Sequence, residues 1–323
     1  MASFRLARRW LAVVLLVLVG CSCGERRAGR SAPVVDNPAA DLPAAGVSTG
    51  GIEPTGPDMT DDVAQPTVPS PGDPREAVPT HAAVRALKSG ARWQWQLSGT
   101  IRDSLQVEAY DIDLFDAPQS VIERLHGQGK AVICYFSAGS REDWRADADD
   151  FDDDDHGESV DDWRGESWLD IRSDNVRAVM RGRLDLAKTR GCDAVEPDNV
   201  DGFVNRTGFP LTRSDQIAYN LFLAREAHTR GLGVGLKNSP ELVVELEPAF
   251  DWALTEQCLE YRECARFRPF VDAGKAVLHT EYVDSEREAP AKLRQVCASP
   301  LRTGFSTLVK TWSLGSEYYP CEP

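Results

Sequence analysis

Beyond residue 84 short apolar runs alternate with helix-like stretches about eight times in succession. Trp93-Gln94-Trp95-Gln96-Leu97 reads as a first strand ending at Gly99, and Leu105 to Tyr110 as a second running into Asp111-Ile112-Asp113. Ala131 to Phe136 is continuously apolar, as a strand buried on both faces is, and ends at Ser137-Ala138-Gly139-Ser140. The fourth strand is the apolar approach Cys192 to Val195. There Pro197 is expected to end ladder pairing, leaving Glu196 and Asp198 where the strand opens into a loop. Gly233 to Lys237, Trp252 to Glu256, Ala276 to Glu281 and Gly304 to Val309 complete the set. Helices are expected over about 118–128, 174–190, 214–230, 240–246 and 289–297, with one more closed by Gly274. Gly231 suits the left-handed position after the third of them. One long insertion, rich in acid (Asp147 to Asp155) and tryptophan (Trp144, Trp163, Trp168), follows the third strand.

Strand and helix in alternation imply a parallel sheet with right-handed crossovers. Eight such units with a short first strand imply an α/β fold of the (β/α)8 TIM-barrel kind, one catalytic domain over 84–323. An open doubly wound sheet is the alternative. No Gly-x-Gly-x-x-Gly turn follows any strand, which argues against a dinucleotide fold.

The first 83 residues read differently. Arg5, Arg8 and Arg9 precede the apolar stretch Trp10 to Val19, which is too short to span a bilayer. Leu18-Val19-Gly20-Cys21 resembles a bacterial lipobox, which implies a signal peptide over 1–20 and a lipidated Cys21; ordinary secretion is the alternative. Residues 24 to about 80 hold half of the twenty prolines among Gly, Ala, Ser, Thr and Asp. Such a stretch buries too little apolar surface to offset its ordering entropy, so 21–83 is expected to be a disordered tether. No other stretch suits a membrane span, so the expected membrane partner is reached through the lipid alone. Eight cysteines fit an exported protein better than a reducing cytosol, and with the lipobox the expected place is the cell envelope or surface as a membrane-anchored lipoprotein, otherwise secretion.

A formal net charge of −15 excludes the basic footprint of a nucleic-acid binder and suits a cationic partner. A monomer is expected. In a barrel all strand C-terminal ends share one face. That face would collect Asp111, Asp113, Glu196, Asp198, Lys237, Asn238, Glu256, Glu281, Lys310 and Trp312. Crowded carboxyls raise one another's pKa, which is how one protonated and one ionised carboxyl are obtained for glycosidic-bond cleavage. The five histidines lack ligand spacing, Asp150 to Asp155 lacks the glycine of an EF-hand loop, and no Gly-x-Ser-x-Gly elbow occurs. No metal or cofactor is expected.

From about Trp93 to Tyr282, and more loosely to the end, these segments resemble glycoside hydrolase family 114, the endo-α-1,4-polygalactosaminidase type. The resemblance rests on 93–97, Tyr110 to Asp113, Val132 to Gly139, Trp168 to Arg172, Val195 to Asp201, Gly235 to Asn238 and Glu256 to Cys258, all in one order. It implies cleavage of α-1,4-linked, galactosamine-containing polymers, cationic or partly acetylated. By that resemblance Asp198 is the nucleophile and Glu256 the acid/base of a retaining double displacement. Glu196 is the rival nucleophile, because alternation puts both on one side of the strand. Asp198 is preferred as lying further out, beyond the proline. Asp111 and Asp113 are candidates for binding a sugar amine, against a capped strand end. Lys237 is a candidate to lower the nucleophile's pKa or bond a hydroxyl, against packing across the barrel mouth; Tyr135, Asn238 and Glu281 are candidates to line the mouth, and Trp95, Trp144 and Trp312 to stack on sugars. A polysaccharide-binding lipoprotein without catalysis is the competing class.

Cys258 and Cys264, just after the sixth strand, are expected to bridge and pin the loop carrying Glu256. Cys297 and Cys321 would tie the tail to the barrel, and Cys134 and Cys192 are either a third pair or two buried thiols.

Overall fold

A computed structural model describes residues 87–161 and 163–322. The expected signal peptide, Cys21 and the whole tether over 21–83 lie outside the described residues. Among the described residues no helix is long and apolar enough to cross a membrane.

Eight parallel strands carry the fold: β1 (Trp93–Gln96), β2 (Ala109–Asp113), β3 (Ala131–Ser137), β7 (Ala194–Asp198), β8 (Gly233–Lys237), β9 (Trp252–Glu256), β10 (Val277–Val283) and β11 (Phe305–Thr311). They pair in chain order, and β12 (Tyr319–Pro320) adds antiparallel to β11. The long crossover helices are α1 (Gln119–Gly127), α2 (Asp174–Arg190), α3 (Arg213–Thr229) and α7 (Ala289–Cys297). Short ones are α4 (Val243–Leu246), α5 (Cys258–Tyr261) and α6 (Arg268–Asp272). Their ends follow local chemistry. Ser173 accepts from the N–H groups of Asn175 and Val176 at the start of α2, and Thr212 with Asp215 forms a capping box on α3.

Side chains alternate across each strand. One set faces the helices in the main apolar cluster, with Tyr110, Ile112, Phe136, Val234 and Leu236 among them. The other fills the barrel interior: Trp93, Trp95, Ala109, Ala131, Ile133, Ala194, Trp252, Leu254, Ala276, Leu278 and Leu308. Small neighbours make room for the tryptophans: Trp93 is in register with Ala109 and Trp252 with Gly235. Gly235 serves the same packing, since a Cβ there would meet the Trp252 ring at 2.2 Å. Gly235→Ala is therefore expected to cost about 1–3 kcal/mol, read as a lower urea midpoint at unchanged slope.

The circle closes without a β1–β11 ladder. Trp93 Nε1 donates to Ser306 O (2.9 Å), Gln94 Nε2 to Glu317 O (3.2 Å), and Lys310 Nζ to the carbonyls of Gly315 and Glu317. Burial pushes this Lys310 ammonium down to about 8.

Three expectations shift. The second strand begins at Ala109; Leu105 and Val107 sit in the preceding loop, buried in the core, where the Tyr110 hydroxyl accepts from Leu105 N. Pro197 does not end its strand. β7 pairs with β3 through Ser137↔Asp198, while its ladder with β8 stops at Val195↔Val234, so the missing N–H is spent on one side only. The insertion builds its own antiparallel sheet from β4 (Ser140–Glu142), β5 (His156–Ser159) and β6 (Glu166–Leu169). Its short polar strands carry no periodic signal.

All three cysteine pairs are bonded: Cys134–Cys192, Cys258–Cys264 and Cys297–Cys321. By chain entropy the 58-residue span of the first is the most stabilising, about 4 kcal/mol against about 2 for the 6-residue span.

Candidate active site

The interior-facing alternation delivers Tyr135, Asp198, Lys237, Glu256 and Tyr282 to the C-terminal ends of β3, β7, β8, β9 and β10. Lys237 is the hub. Its Nζ lies 2.9 Å from Glu196 Oε1, 3.0 Å from Asp198 Oδ1 and 3.2 Å from Glu256 Oε2. It also sits over the rings of Trp95 and Tyr135. Burial alone would push this ammonium down, but the carboxylates of Asp198, Glu196 and Glu256 outweigh it and hold the lysine well above its ordinary range. Lys237 therefore stays charged.

The two strand-four carboxyls separate by depth. The Glu196 side chain is fully buried beneath the lysine, whereas the Asp198 side chain is 18% exposed. The Glu256 side chain is 24% exposed. Only Asp198 and Glu256 of this group can meet a molecule arriving from solvent. Both touch Lys237 Nζ, so the two nearest oxygens are no more than 6.2 Å apart, the sum of 3.0 and 3.2 Å.

Donors surround both carboxylates. Tyr135 OH donates to Asp198 Oδ2 at 3.1 Å, and Tyr282 OH to Glu256 Oε1. Asn238 Nδ2 donates to Glu256 Oε2 at 3.0 Å, while its Oδ1 accepts Glu256 N–H at 2.9 Å. Burial, with the neighbouring carboxylates, pushes both tyrosines well above their ordinary range, so both remain protonated donors. Three strands end in the same device: Asn199, Asn238 and Gln257, each directly after Asp198, Lys237 or Glu256, lie at φ 60°, 45° and 53°. The left-handed step turns the chain sharply and keeps each functional group at the rim. Gly139 makes room for it, because a Cβ there would lie 1.7 Å from Asn199 O.

Other expected residues fall elsewhere. Asp111 is fully buried below Lys237 beside Glu196, out of a sugar's reach. Asp113 is a capped strand end: it accepts from the N–H groups of Phe115 and Asp116 and pairs with the Arg145 guanidinium at 2.7 Å. Arg145 also holds Glu142, which fastens the insertion to β2. Glu281 is a correction. Alternation along β10 turns it outward, where it accepts from Leu259 N (2.9 Å) and pairs with His279 and Lys292. Tyr282, its neighbour, takes the mouth position; ending the seventh strand at Glu281 hid it. Trp312 stacks on Tyr282 at 4.2 Å between centroids and forms a wall of the mouth. Trp95 is buried under the lysine, but Trp144 is exposed, as is Trp163.

Two further acids were not expected. Burial and Asp198 push Asp201 up to about 7. Burial pushes Glu166 up to about 7 as well, against its bond from the Ser140 hydroxyl. Acidity is concentrated here. Residues 138–170 hold fourteen Asp and Glu against three Arg, a net −11 of the chain's −15. Among the described residues the tightest set of metal-ligating types, Cys258, Cys264 and His279, has both sulfurs tied in a disulfide.

Residues 74–322 match glycoside-hydrolase family GH114. The chain is similar to the crystal structure of Aspergillus fumigatus Ega3 in complex with galactosamine, at 41% identity and a TM-score of 0.70, over 73% of this chain and 97% of that one. It is also similar to the glycoside hydrolase domain of PelA from Pseudomonas aeruginosa, at 15% identity and a TM-score of 0.56, over 72% and 98%. That second likeness speaks to the fold. No curated protein matches. On the extent of the family match and the identity with Ega3, the chain belongs to glycoside-hydrolase family GH114 and is a glycosidase.

Proposed function

We propose that this enzyme cleaves α-1,4-linked, galactosamine-containing polysaccharide within the chain and with retention of anomeric configuration. Asp198 serves as nucleophile and Glu256 as acid/base. The observation that carries this reading is the pair of partly exposed carboxyls joined through one ammonium. Retaining enzymes place their carboxyls about 5–5.5 Å apart and inverting ones about 6.5–9.5 Å. An oxygen pair no more than 6.2 Å apart is compatible with the first class.

The steps follow from the contacts. Asp198 attacks the anomeric carbon, while Glu256 gives its proton to the departing glycosidic oxygen. One negative charge thereby leaves Asp198, which becomes an ester, and appears on Glu256. Lys237 touches both residues, so it neutralises the charge before and after the transfer without moving. Tyr282 and Asn238 then hold the ionised Glu256, ready to take a proton from the water that releases the sugar.

Substrate class rests on two supports. Ega3, 41% identical, was crystallised with galactosamine. The net −11 of the insertion at the mouth favours a polymer carrying free amines. Trp312, and the exposed Trp144 and Trp163, supply apolar faces for sugar rings. The enzyme would act from the cell envelope as a lipoprotein tethered at Cys21.

The test is reducing-end release by the full chain from partly N-acetylated α-1,4-polygalactosamine, with the first product followed by NMR. An α anomer as first product and a ladder of oligosaccharides are expected. A β anomer would refute retention, and binding without release would turn the substrate assignment against this polymer.

A further inference from the structure

Beneath the two exposed carboxyls lies a second acid pair that the reaction steps above do not use. Asp111 on β2 and Glu196 on β7 are both 0% exposed, and their carboxyls lie within hydrogen-bonding reach of each other. Glu196 Oε1 accepts from Lys237 Nζ at 2.9 Å. Glu196 Oε2 and both oxygens of Asp111 meet no donor. An ionised carboxylate with no donor in the core of a barrel is severely destabilising. Two ionised carboxylates side by side there are worse.

Charge counting leads the same way. Asp111, Glu196, Asp198 and Glu256 surround one ammonium, Lys237. Flanking strands bring no relief, since the residues in register with Asp111 are Trp95 on β1 and Ile133 on β3. The charged groups acting on Asp111 are Glu196 and Asp198 from β7 and Lys237 from β8. Lys237 already bonds Glu196 and opposes the rise that burial imposes on it, so of the two buried carboxyls Glu196 is the one that ionises first. The remaining proton belongs on Asp111.

We propose that Asp111 is a neutral carboxylic acid that donates its proton in a hydrogen bond to Glu196, and that this buried acid–carboxylate pair is the seat that holds Lys237 between Asp198 and Glu256. Asp111 is thus a positioning residue. It touches no substrate and acts through Glu196 and Lys237. One hydrogen bond satisfies the open oxygen of Glu196 and gives the carboxyl of Asp111 its partner. It also removes one negative charge from beneath the lysine, which leaves the ammonium free to serve the two exposed carboxyls. The direction in which burial and Glu196 push Asp111, well above the ordinary carboxyl range, agrees with this.

This inference rests on the proposed roles of Asp198 and Glu256 only where activity is read, so its first test needs no substrate. Asp111→Asn keeps the shape and an N–H donor while removing the titration. A neutral buried acid has a raised folded-state pKa, so its favourable contribution is complete below the unfolded value near 3.8 and fades as pH rises toward the folded one. The variant lacks that loss. Its melting temperature relative to the parent is expected to rise steadily from pH 5 to pH 9. A protonated-carboxyl stretch in the infrared spectrum of the parent at neutral pH should be missing from the variant.

The second test reads activity on polygalactosamine. Asp111→Asn should stay within about threefold of the parent in kcat. Asp111→Ala, which leaves Glu196 without its donor, should lose roughly ten- to hundredfold in kcat with little change in KM. A relative melting temperature that falls with pH, or Asn as damaging as Ala in a folded protein, would overturn the proposal. If the parent shows the stability and infrared behaviour but releases no sugar, the acid pair stands and the substrate reading fails.

Discussion

Asp198→Asn is expected to lower kcat by at least about 10⁴-fold on polygalactosamine, with the melting temperature little changed. The amide is close to the carboxylate in size, and Lys237 keeps Glu196 and Glu256 as counter-ions, so the fold has little to lose. The chemistry loses its proposed nucleophile, and residues that act as a unit show losses of this order when one is removed. Glu256→Gln should lose roughly 10²–10⁴-fold, the usual worth of a general acid/base. The double variant should be scarcely worse than Asp198→Asn, because without an ester to form there is nothing for the acid to assist. Steady-state kinetics on all three, with circular dichroism as the folding control, checks the set. An Asp198→Asn variant retaining a tenth of the parent's kcat, beside an inactive Glu196→Gln, would move the nucleophile to the buried position.

How far that assignment was legible in the sequence depends on which property is asked for. Periodicity placed six of the eight strands within two residues, because barrel strands buried on both faces are apolar runs bounded by turn residues. Alternation then put Glu196 and Asp198 on one side, which is correct, and could not rank them, because depth along a strand is a tertiary property. The structure ranks them through Lys237, which closes over Glu196 and leaves Asp198 outside. Glu281 shows the opposite failure. It ends an apolar run as the other mouth carboxylates do, yet its parity differs from that of Leu278, Thr280 and Tyr282, and parity decides the face. Counting outward from Leu278 would have named Tyr282. The insertion was legible in composition and not in structure, since its strands are short and its sheet is held by the Arg145 bridges and the Ser140–Glu166 contact as well as by the buried Trp168 and Leu169.

Lys237→Met is expected to be the most damaging single substitution for stability among the mouth residues, and its damage should depend on pH in a defined direction. Methionine matches the lysine side chain out to Cε and lacks only the terminal ammonium, so packing is largely kept. What disappears is the counter-ion of Glu196, Asp198 and Glu256. Removing one partner of a buried ion pair typically costs 3–5 kcal/mol, roughly, because the remaining charge stays buried. The carboxyls can escape by taking up protons. Burial has already pushed Glu196 up to about 7 in the parent, with Lys237 opposing that rise, so losing the lysine drives the folded-state value higher. A folded state that binds more protons than the unfolded chain loses stability as pH increases. The deficit of the variant should therefore stay small up to about pH 7, the folded-state value of Glu196 in the parent, and grow above it. The parent's lysine contribution stays constant over the same range, since its folded-state value lies well above 10.5. Urea denaturation at pH 4.5 and pH 8 measures both ends, and a deficit equal at the two would show that Lys237 supports the fold by packing alone. In activity the loss should be roughly 10²–10³-fold in kcat, the scale seen when a preorganised electrostatic contact is withdrawn from developing charge. Arginine should not restore it, because a forked guanidinium cannot place one point charge among three carboxylates in a site built around a compact ammonium.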